Sequence, residues 1–173
     1  MNKDIKNYIA EFETVFNGEP FYGKPMMGII KEADPEKVFQ KPSPDSHSAY
    51  EITQHLYAWR DLFVKRLNGN FKATIKMNSE EDWSLLPATQ TEAVWNVLIK
   101  KLEQNQKDLV AALSKYDDES LDKNFIQSAY SLQTYLEGQI QHDIYHLGQI
   151  ALALKNAQTS YHDSKSLAQT NEN

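Results

Sequence analysis

Residues 131–156 read SLQTYLEGQIQHDIYHLGQIALALKN, and this stretch decides the fold class. Its apolar residues recur every three or four positions, which places them on one face of a helix. Leu, Ala and Gln, which favour helices over strands, are frequent in it. The pattern therefore predicts a long amphipathic helix whose apolar face is formed by Leu132, Leu136, Ile140, Ile144, Leu147, Ala151 and Leu154.

A second segment, residues 48–67, has the same periodicity and a defined beginning and end. Ser48 and Glu51 have the spacing of a capping box, in which each side chain bonds to the backbone N–H of the other residue. Asn68-Gly69-Asn70 follows the last apolar residue, and such a sequence favours a helix end. The apolar face of this helix consists of Ala49, Ile52, Leu56, Trp59, Phe63 and Leu67.

Two further helices are predicted at residues 91–114 and 3–17. The later one is preceded by Thr89 and Glu92, which have the spacing of a second capping box. The earlier one ends at Asn17-Gly18, a favourable carboxyl-terminal cap. The four helices together predict an all-α protein folded as a four-helix bundle.

The remaining segments connect or follow these helices. Residues 18–47 contain five of the six prolines, and we expect short helical turns there at 26–31 and 35–39. Residues 157–173 are polar, and we expect them to be a disordered tail after a single bundle domain formed by residues 1–156.

Composition excludes several classes of protein. Eighteen Lys and Arg against 24 Asp and Glu give a net charge of −6, and without a basic cluster neither nucleic acid nor an anionic membrane is an expected partner. The chain has no Cys, which excludes disulfides, thiolate metal sites and a cysteine nucleophile. The amino terminus lacks a signal-peptide pattern and no apolar stretch is long enough to span a membrane, so a cytoplasmic protein is expected.

The histidines are the residues most suggestive of chemistry. His142 and His146 are four positions apart, so both lie on one face of the last helix, where they could bind one metal ion. His55 lies among apolar residues in the second helix, where a buried imidazole needs a partner. Chance also produces such pairs on protein surfaces without metal, and this reading stays open. His47 and His162 are expected to be exposed to solvent.

One segment of the last helix resembles a known family. HDIYHLGQI, residues 142–150, is similar to the last-helix signature HDxYHxGQI of the DinB/YfiT-like superfamily. The single His in the helix at residues 48–67 and the phrase DWSLLP, residues 82–87, resemble the same family, over residues 20–155 in all. The resemblance implies an up-down-down-up four-helix bundle in which His55, His142 and His146 hold one divalent metal ion.

The resemblance also limits the kinds of reaction that are expected of this site. Some members of the superfamily transfer low-molecular-weight thiols and others are metal-dependent hydrolases. Three neutral imidazoles leave the charge of a zinc or nickel ion uncompensated and coordination positions open, which is typical of catalytic sites. Because the chain has no Cys, a thiol would have to come from a small cofactor. The leading hypothesis is thiol transfer to a small electrophilic substrate; the alternatives are hydrolysis, a non-catalytic metal-binding or ligand-binding bundle, and a metal-free interaction module.

Three further residues are candidates for supporting roles at this site, while the catalytic residues stay unknown. Glu51 could orient a ligand or act as a base, or serve only the helix cap. Asp143 could accept a hydrogen bond from a ligand imidazole of another helix, or be an ordinary carboxylate on a helix face. Gln149 lies on the histidine face and could contact substrate. Tyr145 and Gly148 are expected to serve close helix packing.

A homodimer is the expected oligomeric state. Members of this family often pair. In addition, apolar residues of the last two helices are left over beyond the core-facing faces, and exposed apolar patches usually mark interfaces. These residues are Val94, Val97, Ile150 and Leu152.

Overall fold

The computed structural model describes residues 4–126 and 129–170, with side chains as far as residue 157. Over these residues the fold is all-helical, as predicted. A short 3₁₀ turn, Asp118–Ser120, follows the fourth helix. The five α-helices are α1 Ile5–Asn17, α2 Met26–Glu32, α3 Ala49–Leu67, α4 Glu92–Leu113 and α5 Leu132–Thr170.

Helices α3 and α4 run parallel to each other. The ring of Tyr50 lies 6.2 Å from that of Trp95 near the start of both helices. Further along, Nε of Arg60 donates a hydrogen bond of 3.0 Å to Oδ1 of Asn105. Two parallel neighbours need a crossover between them, and residues 68–91 provide it.

Helix α5 runs antiparallel to α3. Nε2 of His55 lies 3.1 Å from Nε2 of His146, whereas one turn further along α3 the ring of Trp59 lies 6.0 Å from that of His142. The residue numbers rise along α3 as they fall along α5. The two helices therefore bring residues 55–59 and 142–146 to one level of the bundle.

Helix α1 completes the bundle. The hydroxyl of Tyr8 donates to Glu137 at 2.9 Å, and Phe16 lies under the guanidinium of Arg60, which pairs with Asp143. Contacts thus advance along α1 and α5 in the same direction. The order up-down-down-up is confirmed.

Local signals explain the helix ends, with one correction. The capping box of Ser48 and Glu51 is formed, with the Glu51 carboxylate accepting from Ser48 N at 2.8 Å. The predicted box of Thr89 with Glu92 is wrong: Oγ1 of Thr91 caps α4 by accepting from Val94 N at 3.4 Å. Thr91 is the residue next to the helix, so its hydroxyl reaches the free N–H groups of the first turn.

The two predicted helical turns between α1 and α3 differ in outcome. Helix α2 confirms the first. Residues 35–39 form the second as hydrogen-bonded turns that do not extend into a helix, with Lys37 N and Val38 N both donating to Asp34 O, at 2.9 and 3.2 Å. Val38 and Phe39 are buried, so packing of these two side chains holds the segment.

Helix α5 continues beyond Asn156, where its apolar periodicity ends. Residues 157–170 contain neither Gly nor Pro, the two residues that most readily stop a helix. The division into a domain of residues 1–156 and a polar tail of residues 157–173 stays a prediction.

The core consists of two apolar clusters separated by a polar layer. The cluster around Met26, Leu56 and Trp95 fills one end of the bundle, and the cluster around Phe12 and Leu136 fills the other. On α3, α4 and α5 buried polar residues occupy the positions between the two clusters. These residues are Arg60, Asn105, Gln106 and Asp143.

Of the four residues expected at a dimer interface, two pack into or against the core. Ile150 is fully buried and Val94 packs against the first cluster, so neither is left over for an interface, while Val97 and Leu152 are exposed. Ile150 is buried because it lies one turn from Leu147 on the core face of α5.

Among the described residues, no helix combines the length and the apolar character needed to cross a membrane.

Candidate metal centre

Three histidines meet where α3 faces α5. Nε2 of His55 lies 3.2 Å from Nε2 of His142 and 3.1 Å from Nε2 of His146. His55 and His146 are buried and His142 is half-buried. The structure thus brings together the three residues that the sequence selected, and these three could hold a metal ion.

The outer ring nitrogens fix the tautomers of two of these imidazoles. Nδ1 of His55 lies 2.9 Å from both the backbone oxygen and Oδ1 of Asp82. Nδ1 of His146 lies 2.7 Å from Oε1 of Gln149. Oxygen atoms of this kind only accept hydrogen bonds, so both Nδ1 atoms carry the proton and both Nε2 atoms carry a lone pair.

Converging lone pairs repel each other unless a cation lies between them. The observed Nε2 separations suit that cation, because three nitrogens at zinc distances in a tetrahedral arrangement lie about 3.3 Å apart. Hydrogen bonds from the outer nitrogens to carboxylate, carbonyl or amide oxygens also raise the basicity of ligating imidazoles. The donor set therefore fits a divalent metal ion.

The electrostatics of the site favour the neutral imidazoles of His55 and His146. Burial lowers the pKa of His55, although its hydrogen bond to Asp82 opposes the shift. Burial and the nearby His142 lower the pKa of His146 to about 4. Neutral imidazole is the form that binds metal.

Acid is expected to destabilise the metal-free protein through His146. The unfolded chain binds a proton there near pH 6.5, whereas the folded protein does so only near pH 4. The unfolded state thus binds more protons between these values, and the free energy of unfolding should fall by up to about 3 kcal/mol as the pH drops through them. Urea unfolding with chelator at several pH values measures this. The decrease should be smaller in His146→Gln, and equal decreases in both proteins would contradict the assignment.

Sequence reasoning missed the residue that positions His55. Asp82 lies on the crossover between α3 and α4 and is 3 % exposed. Trp59 Nε1 donates to its Oδ1 at 2.8 Å and Asn78 N donates to its Oδ2 at 2.7 Å. Burial opposes ionisation of Asp82, but these bonds and His55 outweigh it and lower its pKa. The only sequence signal was the phrase DWSLLP, which begins at this residue.

Asp82→Ala is expected to lower metal affinity about 10-fold to 100-fold, since that is the usual cost of removing a partner of a metal-ligating His. The backbone oxygen of residue 82 still accepts from His55, which keeps the loss within this range. Competition with a chromogenic chelator measures the affinity. Glu81→Ala is the matched control, because Glu81 is the exposed neighbour on the same loop. Equal affinities of the two variants would contradict the role of Asp82.

The next residue along, Trp83, covers the outer side of His55. Their rings are stacked with centroids 4.0 Å apart, and the exposed His47 stacks on the opposite face of Trp83 at 3.9 Å. His47 is exposed as predicted, and Trp83 separates it from the three converging Nε2 atoms.

Asp143 does not play the role expected of it. Its carboxylate is fully buried and pairs with Arg60, and Gln139 Nε2 donates to its Oδ1 at 2.9 Å. Nδ1 of His142 lies 4.0 Å from that oxygen, beyond hydrogen-bond range, and has no hydrogen-bond partner among the described residues. The rotation of residue 143 away from the histidine face directs it to the polar layer of the core.

The sequence suggested roles for four further residues, Glu51, Gln149, Tyr145 and Gly148. Glu51 accepts hydrogen bonds from Ser48 through Oε2 and pairs with Lys41 through Oε1 at 3.2 Å, so both oxygens serve the helix start. Gln149 accepts from His146 and thus orients that imidazole. The packing expected of Tyr145 and Gly148 is wrong: Tyr145 is exposed, and a Cβ at Gly148 would meet no atom within 4 Å.

A comparison with known families agrees with this architecture. The sequence profile of the DinB superfamily matches residues 26–150, which include the three histidines and most of the bundle. No curated protein and no solved structure gives a significant match. The profile match covers most of the chain, and an all-helical bundle carries the histidines. The chain therefore belongs to the DinB superfamily.

Proposed function

We propose that the protein binds one divalent metal ion, zinc or nickel, through Nε2 of His55, His142 and His146, and uses it to transfer a low-molecular-weight thiol to a small electrophile. The observation that carries the proposal is the convergence of the three Nε2 atoms, two of them with lone pairs fixed by their outer hydrogen bonds. A divalent cation between these nitrogens would relieve the repulsion of the two fixed lone pairs. Three protein ligands leave room for a further one.

A bound divalent ion would lower the pKa of a thiol that binds beside it. The chain's own residues hold and orient the site: Asp82 and Gln149 fix the two imidazoles, and Trp83 shields His55. The half-buried His142 marks the side from which a small molecule can approach.

The transfer itself is a substitution or an addition. The thiol proton goes to solvent, and the sulfur lone pair forms a bond to the electrophilic carbon. A halide then leaves with the electrons of its bond to that carbon, or the C–O bond of an epoxide breaks and its oxygen keeps the electron pair and takes up a proton. The absence of Cys from the chain supports an external thiol as nucleophile.

The test is a thiol-dependent rate. Zinc-loaded protein is incubated with a panel of low-molecular-weight thiols and a chromogenic aryl halide, with His146→Ala as control. We expect product only with the correct thiol and a rate that drops to background in the variant. Equal rates in wild type and variant with every thiol would overturn the proposal, and substrate loss without any thiol would favour hydrolysis.

We also propose a homodimer, which now rests on two of the four residues that the sequence suggested for its interface. Val97 and Leu152 are 54 % and 59 % exposed, and a second copy that covers either side chain would remove its apolar surface from water. Light scattering that gives the mass of one chain at micromolar concentration would contradict a dimer.

A further inference from the structure

We propose that the cleft between α3 and the first turns of α5 binds a small organic acid, with Arg66 taking the carboxylate. The apolar body of the ligand lies along the cleft, and its far end reaches the histidine cluster at His142. This names a substrate class for the proposed function and rests on it only at the histidine end.

The cleft has the size and walls for such a molecule. Its volume is about 310 Å³. Trp59, Phe63 and Tyr135 form apolar and aromatic walls, and His142 and Arg66 also line the cleft. Trp59 and Arg66 are seven residues apart on one helix, so the cleft is about 10 Å long.

Arg66 is the charged group of this cleft. Its Nε donates to the backbone oxygen of Ala73 at 3.2 Å, which holds the half-buried side chain in place. Throughout the described part of the chain, no carboxylate lies within ion-pair distance of its guanidinium. In a chain with a net charge of −6, a positioned cation without a carboxylate counterion among the described residues suits an anionic ligand, and a carboxylate can pair with it in a bidentate manner.

Gly138 is the second observation that points to a ligand. It lies in the interior of α5 and lines the cleft, although glycine weakens a helix relative to alanine. A Cβ at this position would meet no protein atom within 4 Å, so packing does not require the glycine. Its missing side chain leaves space for the body of the ligand.

The charge is tested with two probes of equal length, 5-phenylvalerate and its uncharged amide, by calorimetry on chelator-treated protein. We expect the acid to bind about 10-fold more tightly than the amide, and Arg66→Gln to abolish this difference. Lys65→Gln should preserve it, because Lys65 is exposed and pairs with Asp61 at 2.7 Å. Equal binding of acid and amide by wild type, no binding of either at millimolar concentration, or a preference that survives in Arg66→Gln would overturn the proposal.

The space is tested by Gly138→Leu, which should lower the affinity for both probes at least about 10-fold. Gly148→Leu is the matched control: Gly148 is also a helix-interior glycine with open space around it, but it does not line this cleft. Circular dichroism confirms that both variants fold. Unchanged affinities in Gly138→Leu would place the ligand elsewhere and overturn the proposal.

These results are independent of the metal. The acid-against-amide difference is measured without metal, so it can hold even if the thiol-transfer assay fails. Conversely, a zinc-loaded, active protein that shows no dependence on Arg66 would leave the proposed function standing and remove only the organic acid.

Discussion

Replacing His55, His142 or His146 by alanine is expected to lower metal affinity by more than about 100-fold, beyond the loss that follows from removing a hydrogen-bond partner of a ligand. Each of the three imidazoles contributes one Nε2 to the same small volume, with separations of 3.1 and 3.2 Å from His55. Two remaining nitrogens cannot surround the ion as three do. Elemental analysis of proteins purified and dialysed in parallel measures the metal content.

The stability of the protein provides an independent readout. A ligand that binds only the folded state at 100 times its dissociation constant adds about 2.7 kcal/mol to the free energy of unfolding. Added zinc should therefore raise the melting temperature of the wild type and not that of the three variants. His47→Ala is the control, since Trp83 lies between His47 and His55. Metal that stays in His55→Ala but is lost from His47→Ala would show that the ligands are assigned wrongly.

The sequence predicted the helices and the pairing of His142 with His146 because both depend on short-range periodicity. Apolar spacing indicates which face of α3 and α5 is buried, although near residue 150 of α5 the buried residue is Ile150 and not the predicted Ala151. Spacing of four places His142 and His146 on one side of α5. That His55 meets them follows from the family resemblance and from the antiparallel packing of α3 on α5. These features can be predicted even when the paths of the loops are unknown.

The partners of the histidines could not be predicted in the same way. Asp82 reaches His55 because the crossover of residues 68–91 folds back over α3, and no periodicity governs the path of such a segment. For Asp143 the sequence left open a bond to an imidazole or an ordinary place on the helix face, because its partner is set by which residue α3 presents at that level. That residue is Arg60, a charged side chain between the buried Leu56 and Phe63 of the same helix face.

Asp143→Ala is expected to lower the free energy of unfolding by about 3–5 kcal/mol, because it leaves the charge of Arg60 buried without a counterion. Arg60 is 1 % exposed and Asp143 is fully buried. The guanidinium also bonds to Asn105 at 3.0 Å and to Gln106, so it is held in place and cannot turn to solvent. Urea unfolding in the presence of chelator measures this cost apart from any effect on metal binding.

The double variant Arg60→Met/Asp143→Leu separates the cost of a lone buried charge from the loss of a favourable pair. With both charges removed, desolvation of an ion no longer opposes folding, and the double variant should be more stable than Asp143→Ala. Recovery will be partial, since Asn105 and Gln106 lose the donor that satisfies them. Asp61→Ala breaks the exposed ion pair with Lys65 and should cost no more than about 0.5 kcal/mol. A double variant as unstable as Asp143→Ala would mean that the buried pair contributes through packing and hydrogen bonds, and not by neutralising a charge in the core.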